Sequence, residues 1–324
     1  MSGKFIISLD FELHWGGAEK WNLKEKENYF LGGRKAVVET LRLFQTNEIR
    51  ATWATVGFLF AKNKDQLLNF SPLEKPSYKN EMISSYHYFD QVGNDENDDP
   101  FHFAPTLIEE ILATPGQELA SHTFSHYYCL EEGQNIYQFK EDLEAAQALA
   151  KENFNAQLKT LVFPRNQYNK DYLKVVKNIG IQTVRSNPDT WFWKNDYGKL
   201  TPLIRAADTL FPVSKNLSFH LNKNSDILEI PASRFFRPYQ QKEKSIQFLK
   251  LKRIKNEMTY AARNNKVYHL WWHPHNFGND LEKNLKQLEE IIKHYQNLKL
   301  NFNFESLNMI TLKNEKNYSF YSNL

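Results

Sequence analysis

Close to its start the chain reads KFIISLDFE, from Lys4 to Glu12, a short apolar run that ends in two acidic residues. Side chains alternate between the two faces of a β-strand, so Asp10 and Glu12 share one face. The opposite face is apolar and can pack under helices. The stretch therefore predicts a buried strand that becomes acidic at its carboxyl end, where active sites lie in β/α barrels.

Short β-branched runs of this kind alternate with helical patterns along the chain. Seven candidate strands read KFIISLD, RATWATV, ELASH, LKTLVF, IQTV, DILEI and KVYHLWW. The helical patterns cover 34–45, 58–68, 136–151, 170–178 and 281–296. Such alternation is typical of β/α units around a parallel sheet. We expect an α/β fold, a distorted (β/α) barrel with about seven parallel strands and loop insertions.

Two stretches interrupt the alternation, at about 71–105 and about 187–225. The chain has no internal repeat and no linker rich in Pro, Gly or Ser, so we expect residues 1–324 to form one catalytic domain carrying both insertions. Loops of this length in a compact domain are often lids or binding walls. For the first insertion, simple surface decoration is an equally good interpretation.

Composition excludes several classes of protein. The 324 residues are 41% hydrophobic and 15% aromatic, which is typical of a folded globular protein. The 41 basic and 38 acidic residues are interspersed, so nothing indicates a nucleic-acid partner. With Cys129 as the single cysteine there is no disulfide framework within the chain. No run reaches 18 apolar residues, and we expect a cytoplasmic protein without membrane insertion.

A second motif, ELASHTFSH, places His122 and His126 four residues apart just after a strand. The spacing alone is weak, but two acids on one face of the first strand require a cation nearby. Two neutral imidazoles and one carboxylate, with positions left open for water and substrate, form a catalytic zinc arrangement. The same ligand types can hold iron(II) or cobalt(II).

Two later strands also end in polar side chains. Arg165 follows a strand in LVFPRNQYN, and an arginine at this rim could pair bidentately with Asp10. The last strand, VYHLWW, is followed by His273 and His275. Taken alone, these histidines could equally be satisfied within the core, and the adjacent Trp271 and Trp272 are interpreted as core residues rather than sugar platforms.

Together these motifs resemble the polysaccharide deacetylases of the NodB-homology type, carbohydrate esterase family 4. The series SLDFE, ATWATVG, ELASHTFSH, FPRNQ, LEIP and LWWHPHN follows that family's motif order over most of the chain. The resemblance implies that Asp10 is the catalytic base, Arg165 its partner and His273 the general acid. It implies one divalent ion, with Zn²⁺ expected and Co²⁺ or Fe²⁺ as alternatives, held by three ligands: Glu12, His122 and His126.

Three departures from the family pattern bear on these assignments. Phe11 separates Asp10 from Glu12, whereas many members have two adjacent aspartates. The final motif offers two histidines, and His275 is kept as the reserve acid. The fourth motif is matched loosely by NPDTWFW, where the resemblance implies Asp189 as the carboxylate that holds the acid histidine; a turn aspartate after a proline is the alternative.

The expected activity is metal-dependent removal of an N-acetyl group from an amino sugar of a surface polysaccharide or its precursor. The partner is then an acetylated glycan or glycan precursor. Two alternatives stay open, a small-molecule amidohydrolase or deformylase on the same fold and an inactive carbohydrate-binding protein. A non-haem iron oxygenase is disfavoured, because its usual all-β fold does not match this β/α pattern. Nothing in the sequence specifies the oligomeric state.

Overall fold

The computed structural model describes residues 2–195, 197–222 and 225–315, and its centre is one curled sheet of parallel strands. Along the sheet the strands run in the order β6-β5-β4-β3-β2-β1-β8-β7, and β9 pairs with β1. Their bounds are β1 (Lys4–Phe11), β2 (Ala51–Thr55), β3 (Gln117–Ser121), β4 (Thr160–Leu161), β5 (Thr183–Ser186), β6 (Leu228–Pro231), β7 (Arg234–Phe235), β8 (Val267–Trp272) and β9 (Glu305–Leu307).

A single extended segment, residues 228–235, joins the two ends of the sheet. Its first half, β6, pairs with β5, and its second half, β7, pairs with β8, both in parallel. At the junction Ala232 N–H donates to Ser186 O, and Ser233 N–H donates to His269 O. The predicted distorted barrel of parallel strands is confirmed: β6 and β7 together form one of seven strand positions around the barrel. β9 pairs with the start of β1, on the edge that β2 occupies farther along.

Helices cover the outside of the sheet. Their bounds are α1 (Leu23–Thr46), α2 (Lys64–Phe70), α3 (Pro105–Ala113), α4 (Ile136–Phe154), α5 (Lys170–Asn178), α6 (Trp191–Lys194), α7 (Thr201–Leu210), α8 (Gln247–Arg263), α9 (Leu281–Phe302) and α10 (Met309–Asn314). Within the described ranges, no helix combines the length and apolar character that crossing a bilayer requires. The continuous helix predicted at 58–68 is wrong, because a 3₁₀ turn, Gly57–Phe60, precedes α2 there.

The alternation predicted for β1 decides what lies inside the barrel. Phe5, Ile7 and Leu9 belong to the large core beneath the helices. Ile6 points the other way and packs in a separate cluster that also contains Leu228 of β6. Because Asp10 has the same orientation as Ile6, its carboxylate opens at the carboxyl end of the barrel interior.

Both predicted insertions are connections within this one sheet. The first, at about 71–105, braces the segment that follows β3: Tyr78 accepts a hydrogen bond from Tyr128 N–H at 2.7 Å, and Ser85 Oγ donates to Ser125 O at 2.8 Å. The second, at about 187–225, contains α6 and α7. Residues 196, 223 and 224 within it lie outside the described part of the chain.

Candidate metal and catalytic site

The carboxyl ends of β1, β5 and β8 surround an open cleft of about 670 Å³. Asp10 and Glu12 lie at its floor, together with His126 and His273. In a parallel barrel all strands end at the same face, and this is why motifs far apart in the sequence meet here.

Three ligand atoms converge at one point of this floor. The Nε2 atoms of His122 and His126 lie 3.0 Å and 3.3 Å from Oε1 of Glu12. The three side chains are buried, and their ligand atoms all lie within 4.8 Å of one another. The structure thus brings together the three residues predicted as ligands, and their role in binding a metal stays a prediction.

The chemistry of this donor set fits a divalent cation. His122 Nδ1 lies 2.7 Å from the carbonyl oxygen of Val162, so Nδ1 carries the proton and Nε2 keeps its lone pair. That lone pair faces a carboxylate oxygen of Glu12, which is also an acceptor. Two acceptors 3.0 Å apart repel each other unless a cation is shared between them.

The loop that carries both histidines is held by a buried carboxylate of α4. Asp142 accepts hydrogen bonds from Phe124 N–H at 2.7 Å, from Ser125 N–H at 3.1 Å and from the Ser125 hydroxyl. These bonds stabilise a tight turn in which His126 itself has a left-handed backbone, φ 59°. Burial raises the pKa of Asp142 to about 7, against the effect of these donors. Tyr128 adds a hydroxyl 3.1 Å from Nδ1 of His126.

The candidate base Asp10 has an arginine partner that the sequence did not predict. Arg185 of β5 binds it bidentately, with NH1–Oδ1 and NH2–Oδ2 distances of 2.6 Å and 2.7 Å. Both side chains are buried. Burial acts to raise the pKa of Asp10, but Arg185 outweighs it, and the pKa falls below its usual 3.8. Asp10 is therefore ionised at neutral pH.

The prediction that Arg165 pairs with Asp10 is wrong. Arg165 instead binds Glu19 at 2.6 Å and Glu131 at 3.2 Å, and its guanidinium stacks on Tyr128 at 3.8 Å from the ring centre. The physical reason is the turn after β4, where Arg165 has a left-handed backbone with φ 52°. Arg165 still lines the cleft, at its rim rather than beside the base.

The next residue of that turn supports the base from a second direction. Asn166 also has a positive φ, 54°, and its Oδ1 accepts a hydrogen bond from Arg185 NH2 at 3.1 Å. The backbone N–H groups of Asn166 and Gln167 donate within the turn, to Phe163 O and Pro164 O. The resemblance to the family implies that a backbone N–H between Asn166 and Tyr168 stabilises an oxyanion. The N–H groups of Asn166 and Gln167 are engaged within the turn, so this implication now concerns Tyr168.

Two more polar residues, Ser8 and His269, lie beneath Asp10 and were not predicted from the sequence to belong to the site. Ser8 Oγ lies 3.2 Å from Arg185 NH1 and 2.9 Å from His269 Nε2, so it links β1 to β5 and β8. Burial lowers the pKa of His269 to about 3, so this histidine is neutral. The alternation of side chains along a strand could have identified Arg185 and His269. Both occupy inward positions of apolar strands, where a charged or polar side chain requires a partner.

His273 stands over both acids, as expected of the acid histidine. Its Nε2 lies 3.8 Å from Asp10 Oδ2 and 3.7 Å from Glu12 Oε1. Its Nδ1 lies 3.3 Å from the side-chain nitrogen Nδ2 of Asn276. The side-chain oxygen Oδ1 of Asn276 accepts a hydrogen bond from Tyr29 OH at 2.7 Å. An amide can present NH₂ to a neutral imidazole or its oxygen to an imidazolium, so this partner tolerates both protonation states.

The other two residues predicted around the acid histidine are placed differently. His275 is buried against Trp21 and Tyr29, and burial lowers its pKa to about 3. This environment favours His273 over His275 as the proton donor. The prediction that Asp189 holds the acid histidine is wrong: its side chain is 82% exposed and binds Lys194 at 2.5 Å. Asp189 belongs to the turn before α6, and Asn276 takes the position expected for it.

A glycine and a buried histidine pair shape the segment that follows Glu12. A Cβ placed on Gly16 would lie 1.9 Å from Glu12 Oε2, so a side chain there would displace the carboxylate. His14 Nδ1 binds His102 Nε2 at 2.9 Å, and His102 Nδ1 binds Asp99 at 2.7 Å. His14 Nε2 faces the carbonyl of Trp21 at 3.0 Å. The first insertion thereby fixes the segment that contributes Gly16 and Trp21 to the cleft.

The second insertion forms a wall of the cleft, as predicted for one of the long loops. It contributes Phe192 and Trp193 of α6, together with residues of α7. Phe235 and Trp271 line the cleft from the barrel side, and a face of Trp271 is covered by Arg185 at 4.3 Å. Trp271 is 8% exposed, in line with its interpretation as a core residue. No described residue of the first insertion lines this cleft.

A sequence model of the polysaccharide deacetylase family matches residues 30–184. A search of curated proteins gives no match.

Three solved structures share the fold over nearly the whole chain. A candidate polysaccharide deacetylase from Mycobacterium smegmatis has a TM-score of 0.60 at 10% identity, covering 97% of this chain and 90% of its own. One from Pseudomonas aeruginosa PAO1 has a TM-score of 0.56 at 12% identity, with coverage of 96% and 89%. PuuE allantoinase has a TM-score of 0.52 at 12% identity, with coverage of 96% and 88%. At such identities these similarities show the fold alone.

The family match and the ordered motifs agree, and the resemblance to the NodB type, carbohydrate esterase family 4, is confirmed. The chain therefore resembles the polysaccharide deacetylase family, whose sequence model matches residues 30–184.

Proposed function

We propose that this protein is a metal-dependent hydrolase that removes the N-acetyl group from an amino sugar of a surface polysaccharide or its precursor. One observation carries the proposal: an ionised carboxylate, Asp10, lies beside a three-residue donor set that fits a divalent cation, and His273 faces both. Amide hydrolysis requires a base that activates water and an acid that protonates the leaving amine, on two sides of the reacting carbonyl.

A divalent ion held by Glu12, His122 and His126 would act as a Lewis acid on the acetyl carbonyl and would lower the pKa of water, with Zn²⁺ expected and Co²⁺ or Fe²⁺ as alternatives. Asp10 accepts the proton of the attacking water, because Arg185 keeps its carboxylate ionised. An amine leaves poorly unless it is protonated, so His273 donates a proton to the sugar nitrogen. Its Nε2 is the nitrogen nearer the two acids, which suits this task.

The cleft supports a sugar substrate. Trp193 and Phe235 line it together with Trp21, and aromatic faces of this kind suit the apolar faces of sugar rings. A volume of about 670 Å³ leaves room for more than one sugar unit around the reacting group. The identity of the sugar is part of the proposal.

The test is hydrolysis by metal-depleted protein to which Zn²⁺ or Co²⁺ is restored. Acetylated chito-oligosaccharides and acetylated glycan precursors are the substrates, and released acetate and free amine are measured together. The Asp10→Asn and His273→Asn variants, which spare the metal donors, are the matched controls and are expected to be inactive. Absence of acetate from every acetylated sugar, with metal bound, would contradict the proposal.

The same assay distinguishes the alternatives. Hydrolysis of cyclic ureides or formylated amino sugars, without any of acetylated ones, would select a small-molecule amidohydrolase or deformylase. Binding of a glycan without bound metal and without hydrolysis would select a carbohydrate-binding protein. For location we propose the cytoplasm, and cell fractionation tests it independently of the activity.

A further inference from the structure

The second insertion exposes an unusual number of large apolar side chains. Of the 16 exposed large apolar residues within the described ranges, six lie between 191 and 213. They are between 41% and 65% exposed, which is enough for contact with a partner. We call these six the rim patch: Trp191, Tyr197, Leu200, Leu203, Phe211 and Val213.

The rim patch lies beside the opening of the catalytic cleft. Neighbouring residues on the same elements, Trp193 of α6 and Ala206 of α7, line the cleft. α6 and α7 therefore present one face to the cleft and another to solvent. Whatever covers the rim patch is held next to the cleft opening.

A groove rich in lysine lies between the next two helices, α8 and α9. Its lining includes Lys252 and Lys286, neither of which has an ionic or hydrogen-bonded partner in the described chain, and Phe248, which is 61% exposed. Phe248 lies in the first turn of α8, and Lys252 and Lys286 lie in the second turns of α8 and α9. Both helices begin at the carboxyl face of the barrel, where the cleft also opens. Arg253 of α8 donates to Asp208 O at 2.5 Å and so ties α8 to α7.

Aromatic and leucine side chains together with unpaired lysines, at the same face of the barrel, have the composition of a membrane-interface surface. Trp and Tyr favour the headgroup region, Leu and Phe favour the acyl boundary, and lysines attract anionic lipids. A second copy of the chain fits less well, because a two-fold contact would bring the unpaired lysines of both copies to one interface.

We infer that the rim patch and the lysine groove dock the protein on a membrane surface that contains anionic lipids. The cleft opening then lies at the lipid headgroups. This extends the proposed function, on which it rests, by a substrate class: an acetylated amino sugar carried on a membrane lipid. The protein stays outside the bilayer and only the rim patch enters the interface.

The first experiment measures docking without any substrate. The full chain is sedimented with vesicles of phosphatidylcholine alone and with vesicles that also contain phosphatidylglycerol. We expect binding to the anionic vesicles that weakens with added salt and falls at least tenfold in the triple variant Leu200→Asp, Leu203→Asp, Phe211→Asp. A matched control carries the same three charges at exposed leucines elsewhere, as Leu73→Asp, Leu112→Asp, Leu300→Asp, and should bind like the unchanged protein.

Two results would overturn the inference. One is equal sedimentation of the triple variant and the unchanged protein, or no binding to either kind of vesicle. The other is a dimer in sedimentation velocity that the triple variant dissociates, without vesicle binding, since a second copy would then cover the patch.

The second experiment separates this inference from the proposed function. With an acetylated amino sugar on a lipid phosphate in anionic vesicles, the triple variant should release acetate at least tenfold more slowly than the unchanged protein. With a soluble acetylated oligosaccharide both should react at the same rate. Equal rates on the vesicle substrate contradict the docking; no reaction by either protein on any acetylated sugar contradicts the proposed function instead.

Discussion

Arg185 of β5 holds Asp10 of β1 through two hydrogen bonds, of 2.6 Å and 2.7 Å, inside the barrel. The pair is buried, and two parallel N–H···O bonds fix the carboxylate in orientation as well as in charge. Asn166 and Ser8 bind the same guanidinium. The ionisation of the proposed base thus depends on a strand residue, and the arginine of the loop after β4 has a different task.

Replacing Arg185 by Met should impair the base. Burial alone raises the pKa of Asp10, so without its partner the acid limb of the kcat/KM profile should move to higher pH. We expect kcat/KM near neutral pH to fall by about 10²–10⁴-fold, the usual contribution of a general base. Loss of one member of a buried pair should also lower the free energy of unfolding by about 3–5 kcal/mol.

Arg165→Met is the matched control. Its ion pairs are partly exposed, and it should lower the free energy of unfolding by less than about 1 kcal/mol and leave the acid limb in place. If Arg165→Met moved the acid limb and Arg185→Met did not, the assignment of the partner would be reversed.

The two histidines after β8 should respond in opposite ways. His273 is 24% exposed and faces the acids, so His273→Asn should lower kcat by about 10²–10⁴-fold with little change in Tm. His275 is buried against aromatic rings, so His275→Ala should destabilise the fold by about 2–4 kcal/mol, as large-to-small core substitutions do. Steady-state kinetics and thermal unfolding of both variants check this; a kcat loss confined to His275→Ala would point to the other histidine.

Gly16 should be needed for the metal site although it offers no ligand. A Cβ there would lie 1.9 Å from Glu12 Oε2, and Gly16→Ala should therefore weaken Zn²⁺ affinity by about 10–100-fold, as changes behind a ligand commonly do. Gly17→Ala is the neighbouring control, because its Cβ would press on the Trp21 ring instead. Zn²⁺ titration against a competing chelator gives both affinities, and equal affinities would show that the Gly16 contact does not matter.

Asp142 should make stability depend on pH. Its pKa of about 7 in the folded state lies above its usual 3.8, so the folded protein binds this proton more tightly than the unfolded chain does. The resulting stabilisation is complete below about pH 4 and is lost as the pH rises to about 7, a change on the order of 4 kcal/mol. Asp142→Asn should flatten this slope in urea unfolding of the metal-depleted protein. Identical slopes in both proteins would mean that Asp142 titrates normally.

Much of the fold could be predicted because side chains alternate so clearly between the two faces of β1 and its neighbouring strands. Asp10 and Glu12 emerge at the strand end, and a parallel barrel brings the strand ends together. The same geometry brings His122 and His126 to Glu12 across more than 100 residues. The short β7 and β9 carry too few residues for any pattern, so they were missed.

The errors around the site have local physical causes. The motif predicted that Arg165 lies beside Asp10. In the structure Arg165 has a left-handed backbone and pairs with Glu19 at the rim of the cleft. Arg185 was overlooked because the strand IQTV was ended one residue before it, although period two points its side chain inward. Asp189 lies in an exposed turn, whose side-chain direction no local pattern specifies.

The proposed activity requires one divalent ion shared by Glu12, His122 and His126. Elemental analysis after equilibration with Zn²⁺ and removal of free metal measures this directly. We predict about one ion per chain for the unchanged protein and for Asp10→Asn, and loss of that ion in His122→Ala. An unchanged protein without bound metal, or a His122→Ala variant that retains the full amount, would contradict the account.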